Sequence, residues 1–328
     1  MTAVSPHPYS ELSMEVVMGA VESLGYLCDA RLLALNSYEN RVYQVGIEDE
    51  LPLIAKFYRP DRWTREQILE EHSFSQELVE TDISVIAPMR DEDGKSLHDY
   101  GGFMFAIFER RGGHPPELDN GDNLLVLGRT LGRIHQVGAS VPFSQRVELT
   151  SQRWARDSVE FVAENFIPGE LKPAYSSLTN DLVAAVEEIY QPTPADLIRC
   201  HGDCHIGNIL WRDNIAHFVD LDDCVSAPAI QDLWMFLSGE RDQRQLQLSD
   251  LEAGYSEFRD FPRGQLRWIE AMRTMRIMYY SAWLARRWED PAFPMAFPWF
   301  NSVRYWSDHI LELREQMAVL QEPPLILY

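Results

Sequence analysis

His201-Gly-Asp-Cys-His-Ile-Gly-Asn-Ile-Leu-Trp211, followed by Phe218-Val-Asp-Leu-Asp-Asp223, is the stretch on which the reading of this chain turns. The first segment orders His201, Asp203 and Asn208 as H-x-D-x-x-x-x-N. The second places a further carboxylate, Asp220, after a short apolar run. Leu197-Ile-Arg-Cys200 enters this region, Ile209-Leu-Trp211 leaves its first loop, and His217-Phe-Val219 leads to Asp220. Polar Arg212-Asp-Asn-Ile215 between the last two reads as a turn. The pattern is strand, loop, strand, turn, strand. It holds polar groups on loops within a rigid apolar frame, where catalytic groups concentrate.

An Asp, an Asn five residues later and a second Asp after the next strands have the spacing of a phosphoryl-transfer loop. In that chemistry the first Asp takes the proton of the attacking hydroxyl, and the other two hold Mg²⁺. Asp203 is then the base, while Asn208 and Asp220 are the hard oxygen donors that Mg²⁺ prefers. Asp220 counts as both catalytic and metal-binding; Asp222 is placed to assist, and Asp223 is expected to cap or to face solvent. His201 and His205 are expected to fix the loop by hydrogen bonds. Taken alone, H-x-D-x-H also fits a metallohydrolase cluster. That reading lacks distant histidine partners and leaves Lys56 and Glu71 without a role. Cys204, beside the base, is read as a small filler in preference to a redox switch.

Upstream, Lys56 sits in the apolar run Leu53-Ile-Ala-Lys-Phe-Tyr58. A lysine there is costly to bury unpaired, so it is either an edge-strand lysine or one that contacts phosphates. The following helix opens with the capping box Thr64-Arg-Glu-Gln67 and runs to about Val79. Of its acids, Glu71 has Ile68, Phe74 and Leu78 as helical neighbours, whereas Glu70 lies on a more polar face. Glu71 is therefore the expected partner of Lys56.

Around these motifs the chain divides. Residues 1–10 read as loose, Met14 to Leu24 as a helix, and Leu32 to Lys56 as a hairpin preceded by another strand. Ile83–Ala87, Ser96–His98 and Gly102–Phe108 read as further strands. Glu109-Arg-Arg-Gly-Gly-His-Pro-Pro116 is a Gly/Pro-rich connector and the best lobe boundary. Helices follow over about 122–137, 151–165 and 173–190, and the chain is mostly helical from Ala229 onward. Along one of those helices Met272, Met275, Tyr279, Trp283 and Arg286-Arg287 form a stripe; core packing is favoured over an acceptor site. Three divisions result: a nucleotide-binding lobe over 1–108, the connector over 109–116, and a catalytic and substrate lobe over 117–328.

The chain has 328 residues and a formal charge of −22. Such a field repels phosphate backbones and makes nucleic acid an unsuitable partner. The four cysteines have neither zinc spacing nor the density of a disulfide framework. The start lacks a basic n-region and an apolar h-region, and no run approaches ~18 apolar residues. A cytoplasmic monomer without membrane contact is expected.

Together these motifs resemble the aminoglycoside phosphotransferase and choline kinase branch of the protein-kinase-like fold. His201-Gly-Asp-Cys-His-Ile-Gly-Asn208 with Val219-Asp220 matches that branch's H-G-D-x-H-x-x-N and later metal-binding Asp. The glycine after His201 stands where eukaryotic protein kinases carry Arg. Leu35-Asn-Ser-Tyr-Glu-Asn-Arg-Val-Tyr-Gln44, Lys56-Phe-Tyr-Arg-Pro60, Gln67-Ile-Leu-Glu-Glu-His72, Gln231-Asp-Leu-Trp-Met235 and Asp290-Pro-Ala-Phe-Pro294 look more closely like the bacterial stress-response kinases of this branch. The resemblance implies an α/β (α+β) bilobal fold, with a small antiparallel-sheet N-lobe and a larger, mostly helical C-lobe. It implies an ATP- and Mg²⁺-dependent Ser/Thr protein kinase that phosphorylates itself and other proteins in an envelope stress response. Ser37, Asn40, Lys56, Glu71 and Glu109 then form the nucleotide-facing set. Residues 35–41 contain no glycine, unlike the G-x-G-x-x-G loop of eukaryotic protein kinases. By the same resemblance, Asp232 anchors the catalytic loop backbone. The alternatives are a small-molecule phosphotransferase, for which an acidic second lobe would suit a cationic acceptor, and a silent nucleotide-binding scaffold.

Overall fold

The structure, a computed structural model, describes residues 7–327. In chain order the first elements are α1 (Met14–Glu22), β1 (Cys28–Ala34), β2 (Arg41–Ile47), β3 (Leu53–Phe57), α2 (Arg65–Glu80), β4 (His98–Tyr100) and β5 (Phe103–Glu109). Then come α3 (Gly121–Gly138), α4 (Asp157–Asn165), α5 (Lys172–Ile189), β6 (Leu197–Cys200), β7 (Ile209–Arg212), β8 (Ile215–Phe218) and β9 (Val225–Pro228). The rest is helical: α6 (Ile230–Trp234), α7 (Arg241–Tyr255), α8 (Ile269–Arg286), α9 (Ala292–Ala296) and α10 (Val303–Val319). Two compact units result. The first takes the described residues up to Glu117 and recruits Phe143–Arg146 and His205–Cys224; the second holds the remainder. Among the described residues no helix is long and apolar enough to cross a membrane.

In the first unit five antiparallel strands pair in the order β1-β2-β3-β5-β4. Period-two alternation decides what β3 offers each face. Leu53, Ala55 and Phe57 join Val17, Ala20 and Val21 of α1 in one apolar cluster. Ile68 of α2 packs with Tyr58, Leu97 and Ala106 in a second cluster. Lys56, out of step with Ala55 and Phe57, is therefore turned away from the α1 cluster. Its strand is central, paired with Val42 on β2 and Ala106 on β5. α2 begins at the expected capping box, with Thr64 and Gln67 bonded reciprocally.

β7 and β8 form a hairpin whose two turn residues, Asp213 and Asn214, have φ of 53° and 59°. Two left-handed residues give the turn a twist that suits a tight hairpin. The segment at 83–87, expected as a strand, only touches this hairpin's edge through the bridge between Val85 and Phe218. β4 starts at His98, two residues later than the pattern suggested.

Residues 1–6 of the expected loose N-terminus lie outside the described residues. Tyr9, within the same expected loose stretch, is part of the core. Its ring stacks on Phe103 at 6.0 Å, and the Arg41 guanidinium lies 4.3 Å from its centroid.

In the second unit α3 and α7 approach closely because both carry glycine at the crossing. A Cβ on Gly128 would lie 2.2 Å from the Leu251 carbonyl oxygen, and one on Gly254 would lie 2.0 Å from that of Leu125. β6 pairs antiparallel with β9, a strand the sequence pattern did not reveal. The helix expected over 151–165 begins as a π-helical turn, Gln152–Arg156, before α4. Met272 and Met275 of α8 are fully buried, as core packing required.

Candidate active site

In the first unit Lys56 is buried, with its Nζ 2.7 Å from Asp220 Oδ1 and 3.4 Å from Asp222 Oδ1. Burial alone would pull its pKa down; Asp220, Asp222 and Glu71 outweigh that and raise it above the ordinary lysine value. The ammonium is thus fixed in its charged form. The expected pairing with Glu71 is not made. Glu71 Oε1 accepts from the Ser75 hydroxyl at 3.3 Å, and its Oε2 has no hydrogen-bond partner. Burial pushes the Glu71 carboxyl up to about 7, against the pull of Lys56. The reason is competition: the 220–223 turn brings two carboxylates to one ammonium.

That turn is held by cations that the sequence did not single out. Arg62, just before α2, donates to Asp222 through Nη1 and to Asp223 through Nη2. Asp223 is therefore an ion-pair partner of Arg62, with its side chain still 41 % exposed to solvent as expected. Arg146 donates to the backbone carbonyls of Asp222 and Cys224. The Trp63 ring lies 5.2 Å from the Arg62 guanidinium and 4.1 Å from that of Arg146. Asn40 donates to Asp222 Oδ2 at 3.1 Å and accepts from the Arg59 amide at 3.1 Å. Its side chain thus tethers the 35–41 loop to Asp222. Burial raises the Asp222 carboxyl, but Lys56, Arg62 and Arg146 hold it well below the usual carboxylate range.

Arg146 is itself positioned by Glu70, whose carboxylate accepts from the amides of Ser144, Gln145 and Arg146 at 2.6, 2.7 and 2.6 Å. The polar face of α2 therefore has a structural task. The one signal for it in the sequence was the pair of adjacent acids, Glu70 and Glu71, on different faces.

Asn208 ends a short 3₁₀ turn, Ile206–Asn208, where His205 Nδ1 accepts from the Gly207 amide at 2.9 Å. The Asn208 carbonyl accepts from Val219 N at 3.0 Å, so the hairpin sets Asn208 beside the residue preceding Asp220. Asp220 adopts a left-handed φ of 59°, and its side chain is 50 % exposed. An amide oxygen and an accessible carboxylate at one end of a hairpin fit Mg²⁺, which keeps waters and phosphate oxygens in its shell. Ser37 is half-buried in the loop after β1, its amide donating to the Leu35 carbonyl at 2.9 Å. Glu109 ends β5 and is exposed, 3.8 Å from Arg111.

The second unit holds Asp203. Arg276 of α8 brings Nη1 within 2.7 Å of its Oδ1, a close ion pair outside hydrogen-bond alignment. Asp232 accepts from the amides of His201 and Gly202 at 2.7 and 2.8 Å, the anchoring role expected of it. Gly202 has a φ of +85°, a conformation that glycine adopts freely and that aims both amides at one carboxylate. Asp232 also accepts from His135 Nε2 at 3.0 Å, and His135 Nδ1 meets the Tyr255 hydroxyl at 3.0 Å. Burial raises the Asp232 carboxyl, but the hydrogen bond from His135, the electrostatic pull of His135 and His201 and the Gly202 amide together outweigh it, leaving the group below its ordinary value. Both ring nitrogens of His135 are thus engaged, which fixes the loop's foundation. Cys204 is fully buried, and burial pushes its thiol well up, so the reactive thiolate is suppressed.

A model of the phosphotransferase enzyme family matches residues 31–268. Stress response kinase A of Escherichia coli O157:H7 is 44 % identical over 322 residues, covering 98 % of this chain and 97 % of that protein. The serine/threonine protein kinase RdoA of Salmonella typhimurium (strain LT2) is 43 % identical over 318 residues, covering 97 % and 96 %. Among solved structures, amicoumacin kinase hAmiN, in complex with AMP-PNP, Ca²⁺ and Ami, superposes with a TM-score of 0.70 at 20 % identity, over 92 % of this chain and 91 % of that one. A microcompartment-associated aminopropanol kinase gives 0.69 at 19 % identity, over 95 % and 100 %. Those two share the fold. A small antiparallel sheet joined to a mostly helical remainder, with relatives at this identity over nearly the whole chain, leads to one conclusion: the chain belongs to the phosphotransferase enzyme family, in its stress response kinase A group, and is a kinase of the protein-kinase-like fold.

Proposed function

We propose that the protein transfers the γ-phosphoryl group of ATP to serine or threonine hydroxyls of proteins, itself included, in a bacterial stress response. The observation that carries this is the buried Lys56 joined to Asp220 and Asp222, in a chain so similar to relatives named as kinases of this kind. In this reading Asp203 accepts the proton of the acceptor hydroxyl as the new O–P bond forms. The β–γ bridging bond breaks, and its electron pair leaves on ADP. Lys56 meets the α- and β-phosphates, exchanging part of its contact with Asp220 for phosphate oxygens. Asn208 and Asp220 would hold Mg²⁺, which supplies neutralisation of phosphate charge. Ser37 contacts the nucleotide directly, Asn40 acts through Asp222, and Glu109 lies on the nucleotide side of the connector. Residues 1–108 serve as the nucleotide-binding lobe and 117–328 as the catalytic and substrate lobe, in a cytoplasmic monomer.

The test is incubation of the pure protein with γ-labelled ATP and Mg²⁺, alone and with a mixed protein acceptor. Label on protein is expected, falling about 10²–10⁴-fold in Asp203→Ala. Turnover confined to a small alcohol, with no labelled protein, would overturn the protein-kinase reading. Full activity in Asp203→Ala would remove Asp203 as the base.

A further inference from the structure

Asp203 is accompanied by a cation that the reaction does not require of it. The Arg276 side chain is 33 % exposed, and one edge of its guanidinium faces Asp203. A guanidinium carries five N–H donors in a planar fork, so the ion pair leaves donors over. One turn further along α8, on the same helix face, stands Tyr280, which is 42 % exposed. Its ring stacks on Trp283 at 5.8 Å, with planes 16° apart. The Arg287 guanidinium lies 5.3 Å from the Trp283 ring centroid. Positions 276, 280, 283 and 287 thus form an arginine–aromatic stripe that starts at the proposed base. The chain around it carries a formal charge of −22, so this cationic stripe runs against the overall sign.

We propose that Arg276 is a specificity-determining residue that selects acceptor hydroxyls flanked by an anionic group, such as serine or threonine beside aspartate or glutamate. The inference rests on the protein-kinase reading and names its substrate class. An arginine at the base meets a neighbouring carboxylate with a charge-assisted hydrogen bond. The same arginine repels an ammonium, so amino alcohols and aminoglycosides are poor acceptors. This is opposite to the cationic acceptor that an acidic second lobe suggested. The exposed Tyr280 ring, backed by half-buried Trp283, offers a flat apolar ledge for residues further from the hydroxyl.

The experiment compares serine peptides that differ only in Glu or Lys flanking the serine, together with choline and kanamycin, in wild type, Arg276→Gln and Arg276→Lys. Thermal melts confirm that each variant is folded. In wild type the Glu-flanked peptide is expected to have a kcat/KM about 10–100-fold above the Lys-flanked one, with choline and kanamycin inert. Arg276→Gln brings that ratio to about 1, and Arg276→Lys restores most of it. A residue that merely positioned Asp203 would lower kcat for both peptides alike and leave the ratio unchanged, which overturns the inference. Equal use of both peptides by wild type overturns it too. Self-labelling of the protein by ATP reports the kinase reading separately: with self-labelling intact, either result removes the charge selection alone. Absence of any protein or peptide labelling, with choline or kanamycin phosphorylated, removes both.

Discussion

Glu71 and Lys56 show how a single residue departs from its expected partner. Lys56 is a charged group in a central strand, made tolerable by two carboxylates from a distant turn. Glu71 is left buried beside them, its carboxyl raised from 4.5 to about 7. A carboxyl raised in the fold binds more protons than the unfolded chain between those two values. Its contribution to stability is therefore fully present below pH 4.5 and lost as pH rises through about 7. Glu71→Gln, which keeps the shape and removes the charge, is expected to stabilise the protein more at pH 8 than at pH 5. The difference should be about 2.5 kcal/mol if Lys56 is unaffected, read from chemical denaturation at both values. An equal effect at the two pH values would contradict the buried neutral carboxyl.

At the level of elements, two faces of α2 do two jobs. Ile68 and Phe74 pack inward, while Glu70 collects three successive amides of residues 144–146. Those residues carry Arg146 to the carbonyls of Asp222 and Cys224. The chain of contacts runs from helix to loop to the 220–223 turn. Glu70→Ala is expected to cost about 1–2 kcal/mol, since these bonds are partly solvated. Hydrogen exchange at Ser144, Gln145 and Arg146 should accelerate more than at other amides of the first unit. Unchanged protection there would mean that Glu70 is not the anchor. α8 teaches a related point. The stripe chosen from its sequence, Met272, Met275, Tyr279 and Trp283, is mainly inward-facing, whereas the residue beside Asp203, Arg276, lies one step round the helix. Helical spacing identifies a face; it does not say what lies opposite.

Across the whole molecule the dominant feature is the excess of 51 acidic over 29 basic residues. Like charges at the surface repel in the compact state and are screened within about a Debye length, some 10 Å at 0.1 M salt. The clamp around Asp222 is buried and is screened much less. Raising NaCl from about 10 mM to about 0.5 M should therefore raise the melting temperature by a few degrees, as followed by calorimetry. A fall would show that exposed ion pairs such as Arg129–Glu257 and Arg65–Asp99 outweigh the repulsion.

The sequence by itself determined the family and the strand-then-helix order, and it marked Asp203, Asn208, Asp220, Lys56 and Asp232 as candidate site residues. These are legible because loop motifs are short and local: their spacing, the Gly at 202 and the capping box at Thr64 act within a few residues of themselves. Tertiary structure alone decided the partners. Lys56 and Asp220 stand 164 residues apart in sequence, and so does the competition that separates Lys56 from Glu71. Arg62, Arg146 and Arg276 carried no motif, because a guanidinium's role depends on which carboxylate the fold brings within reach. β9 and the α3–α7 crossing at Gly128 and Gly254 were hidden for the same reason. Pairing and close packing are properties of two segments at once, and local pattern describes only one.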